Sequence, residues 1–334
     1  MTTSNRRGSA LLTVLWLSAC LAAIAFSVSS SVRAETDRVE AGSNGLRAWY
    51  LATGAVERGI QWMLWGESYR NPDGTPRFWQ FGAPRMNMTF PSGNAVVEMI
   101  PESAKFDINH VSAEDLVKVV AAVAGDSDRA REITGAILDW RGGAAGSSYD
   151  QYYFSISPTF KARHASFQEI EELLFVRGMT PEIFYGNFVA DSQGALYSSG
   201  GLRDCLSVWG SMGPFDVNGM SPALMTAVGV PPEGVQAIVA RRKETPFKNL
   251  GDVNALGIPT PRMRVGGNLI WTLRASARLK RPDNSPSEVV RTASATVKLL
   301  DPRGFNIPVH ILRWYDDAWS ESAVAPPGSG SSIP

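Results

Sequence analysis

Cysteine is nearly missing from this chain: Cys20 and Cys205 are the two in 334 residues. Cys20 lies in an apolar run, so an internal disulfide is not expected. Histidine is almost as rare, and His110, His164 and His310 are too far apart to give a local metal-ligand spacing. Net charge is absent, with 32 basic residues against 32 acidic ones. No global positive field draws phosphate to the molecule, which removes the main electrostatic argument for nucleic acid. Charged residues make up 19% of the chain, below the usual quarter. The patterns G-x-S-x-G, H-E-x-x-H, C-x-x-C and G-x-x-x-x-G-K-[ST] are all missing. A hydrolase would have to rest on scattered Asp and Glu, which read as solvated surface. What is present is a core: ten Trp and 14 Phe argue against disorder. The length suggests two domains, or one domain with a large insertion.

The first 32 residues are the most informative. A polar leader, MTTSNRRG, carries Arg6 and Arg7, and no charge follows until Arg33. Ser9 to Val32 is long enough to cross a bilayer as a helix, which takes about 20 residues. The Arg pair ahead of it orients the N-terminus to the cytoplasm, leaving the rest of the chain across the membrane. A cleaved secretory signal would have a shorter apolar stretch of about 7–15 residues. Here the run is longer and continues directly into helical sequence, so retention as an anchor is expected.

The junction at Gly8, followed by a retained apolar helix, resembles a class III prepilin signal. That resemblance implies cleavage by a prepilin peptidase between Gly8 and Ser9, with Ser9 as the new first residue. It also implies that the helix serves as membrane anchor and assembly interface, through Leu11, Leu12, Thr13, Leu15, Trp16 and Leu17. Most pilins and pseudopilins have Glu as the fifth mature residue, where Thr13 stands here. A carboxylate in lipid is costly and needs a partner. In the family that partner is the terminal amine of an adjacent subunit. Thr13 lacks the charge, and its hydroxyl can bond back to its own helix. A subunit at the end of a fibre does not need that link.

The middle of the chain repeats. KFDINHVSAEDL, AILDWR and SFQEIEELLFVRGMTP are answered by PFDVNGMSPALM, AIVARR and PFKNLGDVNALGIPTP. Phe106, Asp107, Asn109 and Ser112 match Phe215, Asp216, Asn218 and Ser221; Arg141 matches Arg242, and Phe167 matches Phe247. Ser112 and Ser221 read as helix caps, the second followed by Pro at the first helical position. The matched Asp and Asn read as turn and cap residues. The second unit also resembles a helix-hairpin-helix, a motif that often binds DNA backbone, with Arg241, Arg242, Lys243 and Lys248 as phosphate contacts. Its hairpin contains Pro231, Pro232 and Glu233, which supply no N–H or repel phosphate. A helical packing module is the better reading, and a membrane-tethered DNA-uptake protein the alternative.

Both flanks of this block read as strands: Asn94–Pro101 before it, and Leu269–Leu279, Glu288–Leu300 and Ile307–Tyr315 after it. The expected architecture is α+β. A long N-terminal helix packs on a small antiparallel sheet, and a large all-α insertion of helix-hairpin-helix or SAM-like repeats interrupts the sheet. The expected divisions are a leader (1–8), a transmembrane part (9–32), a pilin-like domain (33–105 and 263–320), the insertion (106–262, repeated as 106–180 and 215–262) and a disordered tail (321–334).

Taken together, these landmarks resemble the K-type minor pseudopilin of type II secretion, general secretion pathway protein K. The matching pieces are the Arg7-Gly8-Ser9-Ala10-Leu11-Leu12 junction, Phe106–Asn109, Ile137–Arg141, Phe167–Leu173 with Gly178-Met179, and Phe215–Asn218. The resemblance implies a non-enzymatic, single-pass protein of the bacterial inner membrane with a periplasmic C-terminal domain. Implied partners are the I-type and J-type minor pseudopilins, the major pseudopilin, the prepilin peptidase and the inner-membrane secretion platform, with secretin or exoprotein cargo beyond. A type IV pilus minor pilin shares the anchor and is a further alternative. Calcium is associated in the family with an acidic loop after the Asp-Trp landmark. Here that loop keeps only Asp139 and Asp150, with hydroxyls at Ser147 and Ser148, so a weak or absent calcium site is expected and no other cofactor.

Overall fold

The computed structural model describes residues 6–66, 68–143, 146–190, 196–198, 200–260, 262–301 and 304–318. Met1–Asn5 of the expected leader and the expected 321–334 tail lie outside the described residues.

Helix α1 runs from Arg6 to Trp65, 60 residues without a proline. It ends at Gly66, short of the Asn71-Pro72-Asp73-Gly74 turn, and the Trp65 carbonyl accepts the amides of Ser68 and Tyr69. Its two halves differ in pattern. From Ala10 to Gly42 every residue is exposed. Further on, Ala48, Leu51, Ala52, Ala55, Val56 and Ile60 are buried, the spacing of one helical face. Burying the larger of these contributes about 1.5–3 kcal/mol each. Their small neighbours let the helix lie close: a Cβ on Gly59 would stand 3.0 Å from Leu273 Cδ2 and 3.4 Å from Val97 Cγ1.

That face covers a five-stranded antiparallel sheet of β1 (Arg85–Phe90), β2 (Gly93–Pro101), β3 (Ile270–Lys280), β4 (Pro286–Leu299) and β5 (Val309–Tyr315), in that spatial order. Ala95, Val97 and Met99 of β2, Leu273, Ala275, Ala277 and Leu279 of β3, and Ala293, Ala295 and Val297 of β4 form its core with α1. β2 to β5 lie within two residues of their expected positions at either end. β1 was not expected, although its Met86 and Met88 alternate into the core.

β2 and β3 are paired neighbours, and Pro101 lies opposite Trp271. Everything between them therefore leaves and re-enters the sheet at one corner. The insertion there holds α2 (Ala113–Ala124), α3 (Ser127–Gly142), α4 (Ser148–Ser155), α5 (Pro181–Tyr185), α6 (Pro222–Ala227), α7 (Pro232–Glu244) and α8 (Leu250–Asn254). It is not purely helical, which corrects the all-α expectation. Phe106–Asp107 pairs with Leu206–Ser207, Phe215–Asp216 with Met263–Arg264, and Phe188–Ala190 with Leu196–Ser198. Met263 and Arg264, counted above with the pilin-like part, thus hydrogen-bond inside the insertion.

The two repeat units are built with the same bonds. Asn109 brackets the Phe167 backbone, accepting its amide at 2.7 Å and donating to its carbonyl at 3.0 Å. Asn218 brackets Phe247 in the same way, at 2.8 and 3.0 Å. Arg141 donates to the Ile108 and Val111 carbonyls, and Arg242 to those of Val217 and Met220. Ser112 and Ser221 each cap a helix, accepting the amides of Asp115 and Leu224. The rings of Phe106 and Phe215 meet edge to face at 4.7 Å, with the Arg262 guanidinium over both. The units therefore share one core, in which Cys205 is also buried. Burial pushes its thiol pKa up to about 12, so it is an inert packing residue.

Candidate anchor and assembly surface

Among the described residues one helix, α1, is long and apolar enough to cross a membrane, with a mean hydropathy of 2.3 over its most apolar 18 residues. Ser9–Val32 rises about 36 Å at the helical repeat, against ~30 Å of hydrocarbon. Gly8 and Ser9 lie in the first turns of this helix. Leu11 and Leu15, Leu12 and Trp16, and Thr13 and Leu17 form three adjacent i,i+4 pairs about 100° apart, so apolar surface surrounds the helix. Leu11 is 77% exposed and Trp16 66%. Nothing among the described residues covers them. A helix that is greasy all round and uncovered by its own protein needs lipid or neighbouring helices. Several hydroxyls of its exposed part bond back to the helix: Ser18 donates to the Leu15 carbonyl, Ser30 and Ser31 to that of Ser27, and Thr36 to that of Val32. Such back-bonding keeps polar groups from facing hydrocarbon unpaired.

A second cluster lies in the first repeat unit. Asp139 on α3, Asp150 on α4 and His164 in the following loop converge, although 25 residues separate His164 from Asp139. No local spacing in the sequence signals this, and His164 stood there as an isolated histidine. His164 Nε2 lies 3.0 and 3.1 Å from the two Asp150 oxygens, and Nδ1 3.1 Å from the Asp139 carbonyl oxygen. The Gly146 amide donates to Asp150 Oδ2 at 2.6 Å and, with His164, holds that carboxyl below its usual range. Burial works against a charged His164, but Asp150 and the Asp139 carbonyl outweigh it and raise its pKa. The Ser147 hydroxyl caps α4, accepting the amides of Tyr149 and Asp150, and Ser148 is the first residue of that helix.

Of the four basic residues singled out for phosphate, Lys243 and Lys248 are exposed, while the two arginines are engaged by the protein itself. Arg242 is committed to the Val217 and Met220 carbonyls, and Arg241 donates to the Thr245 carbonyl at the end of α7. The hairpin amides of Val228, Gly229 and Val230 are bonded to carbonyls of α6. A backbone-phosphate mode has few free donors there.

A long N-terminal helix, apolar and exposed in its first half and covering an antiparallel sheet with its second, and a largely helical insertion between two paired strands make a pilin-like α+β fold. No protein-family model matches the chain, and no curated protein matches it. Among solved structures it is similar to a chain of the GspK-GspI-GspJ complex from the enterotoxigenic Escherichia coli type 2 secretion system. The two share 13% identity at a TM-score of 0.50, over 86% of this chain and 99% of that one. The chain has a GspK-like fold.

Proposed function

We propose that this protein is a non-enzymatic minor pseudopilin of a type II secretion system, anchored in the inner membrane with its sheet and insertion in the periplasm. The observation that carries this reading is the exposed apolar half of α1, continuous with the half that covers the sheet. A stem of that kind is built to lie among other stems in lipid, where close packing rather than hydrophobic drive holds helices together. The similar solved chain is part of a complex with GspI and GspJ, which supports I-type and J-type partners for this one. Neutral Thr13 and the bulk of the insertion both suit a subunit at the tip, with nothing to follow ahead of it. From the tip it would initiate the pseudopilus and assist passage of folded exoproteins through the secretin. The commitment of Arg242 to backbone carbonyls weighs against the DNA-binding alternative.

The test is the mature mass of the membrane-extracted protein, together with co-purification. The expected mass starts at Ser9, and two other minor pseudopilins are recovered with it. A mature chain starting near Glu35, or a filament built of this chain alone, would overturn the reading.

A further inference from the structure

The family resemblance links the loop after Asp139 to calcium, and the described side chains that meet there do not suit that ion. Calcium takes six to eight oxygens at about 2.3–2.6 Å. Both Asp150 oxygens are engaged by His164 Nε2, and one of them also by the Gly146 amide. The Ser147 hydroxyl is turned to backbone amides. What stands between the two carboxylates is an imidazole, and each of its nitrogens faces an acceptor: Asp150 on one side and the Asp139 carbonyl on the other. With Asp150 and Ser147 engaged in this way, the Asp139 carboxylate is the one acidic side chain of the cluster left to a cation, well short of the oxygens calcium takes. Asp139 Oδ2, buried and without a hydrogen-bond partner among the described residues, lies 4.0 Å from His164 Nδ1. His164 itself has φ of 47°, a region a non-glycine residue occupies only when its surroundings hold it there.

We propose that the His164 side chain takes the place of a metal ion in this loop, tying residues 146–165 to α3 and making the insertion independent of calcium. This proposal does not depend on the assignment to secretion. The experiment uses the detergent-solubilised full-length chain, with melting followed in EDTA and in millimolar calcium chloride, and calcium titrated calorimetrically. The expected result is the same melting temperature in both buffers and no calcium binding. His164→Asn, read in EDTA, should melt about 3–6 °C lower through loss of the imidazole contacts to Asp150 and the Asp139 carbonyl. A wild-type chain stabilised by calcium, or one that binds it at micromolar concentration, overturns the proposal. So does a His164→Asn chain that melts with the wild type. Should that variant fail to fold, the wild-type comparison still decides.

Discussion

Replacing Arg242 with Met keeps the aliphatic length of the side chain and removes its donors. In the folded protein Arg242 donates to the Val217 carbonyl at 3.0 Å and to the Met220 carbonyl at 2.6 Å. Val217 and Met220 are both fully buried. Hydrogen bonds to a charged group contribute about 1.5–3 kcal/mol each, and a buried acceptor left without a partner adds its own desolvation cost. The expected destabilisation is about 3–5 kcal/mol, a large part of the ~5–15 kcal/mol that holds a domain together. For a unit of this size that lowers the melting temperature by roughly 6–15 °C. Arg141→Met removes the matching bonds of the first unit, to Ile108 and Val111. Arg141 is less enclosed, water can replace part of what it supplies, and its loss should cost about 1–3 kcal/mol. Thermal and urea denaturation of the detergent-solubilised chain, followed by circular dichroism, measures both. Arg241→Ala is the comparison: Arg241 donates to the Thr245 carbonyl and lies over the Phe247 ring at 5.8 Å, contacts worth about 1 kcal/mol, so its loss should cost clearly less than that of Arg242. A cost below about 0.5 kcal/mol for Arg242→Met would refute the structural role, because surface substitutions fall in that range.

Two further outcomes test the junction of sheet and insertion. Gly219→Ala drives a Cβ into the Pro101 ring, where the chain leaves the sheet, and should cost about 1–3 kcal/mol by overpacking; an unchanged denaturation midpoint would contradict that contact. Glu102 and Lys105 form a buried pair at 3.2 Å, and although burial opposes the charged carboxylate, Lys105 holds its pKa below the ordinary value. The folded-state pKa is lowered, so this stabilisation is present above the unfolded value of ~4.3 and is lost as pH falls below it. Glu102→Gln should therefore flatten the acid side of the stability–pH curve, and an acid limb unchanged in slope would sink the assignment.

Much of the architecture was legible because it depends on local patterns. The uncharged run from Gly8 to Val32 announces a helix for lipid, and runs rich in Val, Ile and Thr announce β2 to β5. β1 escaped notice because its apolar partners are Met86 and Met88, spaced by polar residues in a six-residue run. The matched letters of the repeat, Asn109 with Asn218 and Arg141 with Arg242, point to one turn chemistry used twice. The sequence cannot say what each side chain grips. Arg241 and Arg242 are adjacent and alike in type, yet Arg242 is committed to buried backbone carbonyls and Arg241 to the end of its own helix and the Phe247 ring.

By itself the sequence determined the length of the apolar N-terminal run, the caps that start the helices and the strands that make the sheet. Each follows from the period and chemistry of neighbouring residues. Tertiary structure alone decided that β2 and β3 are neighbours across the whole insertion, that Met263 and Arg264 belong to it, and that His164 closes on Asp139 and Asp150. Those are contacts between residues far apart in the chain. They exist only once the backbone has folded to satisfy its buried polar groups, and no local pattern encodes which groups will meet.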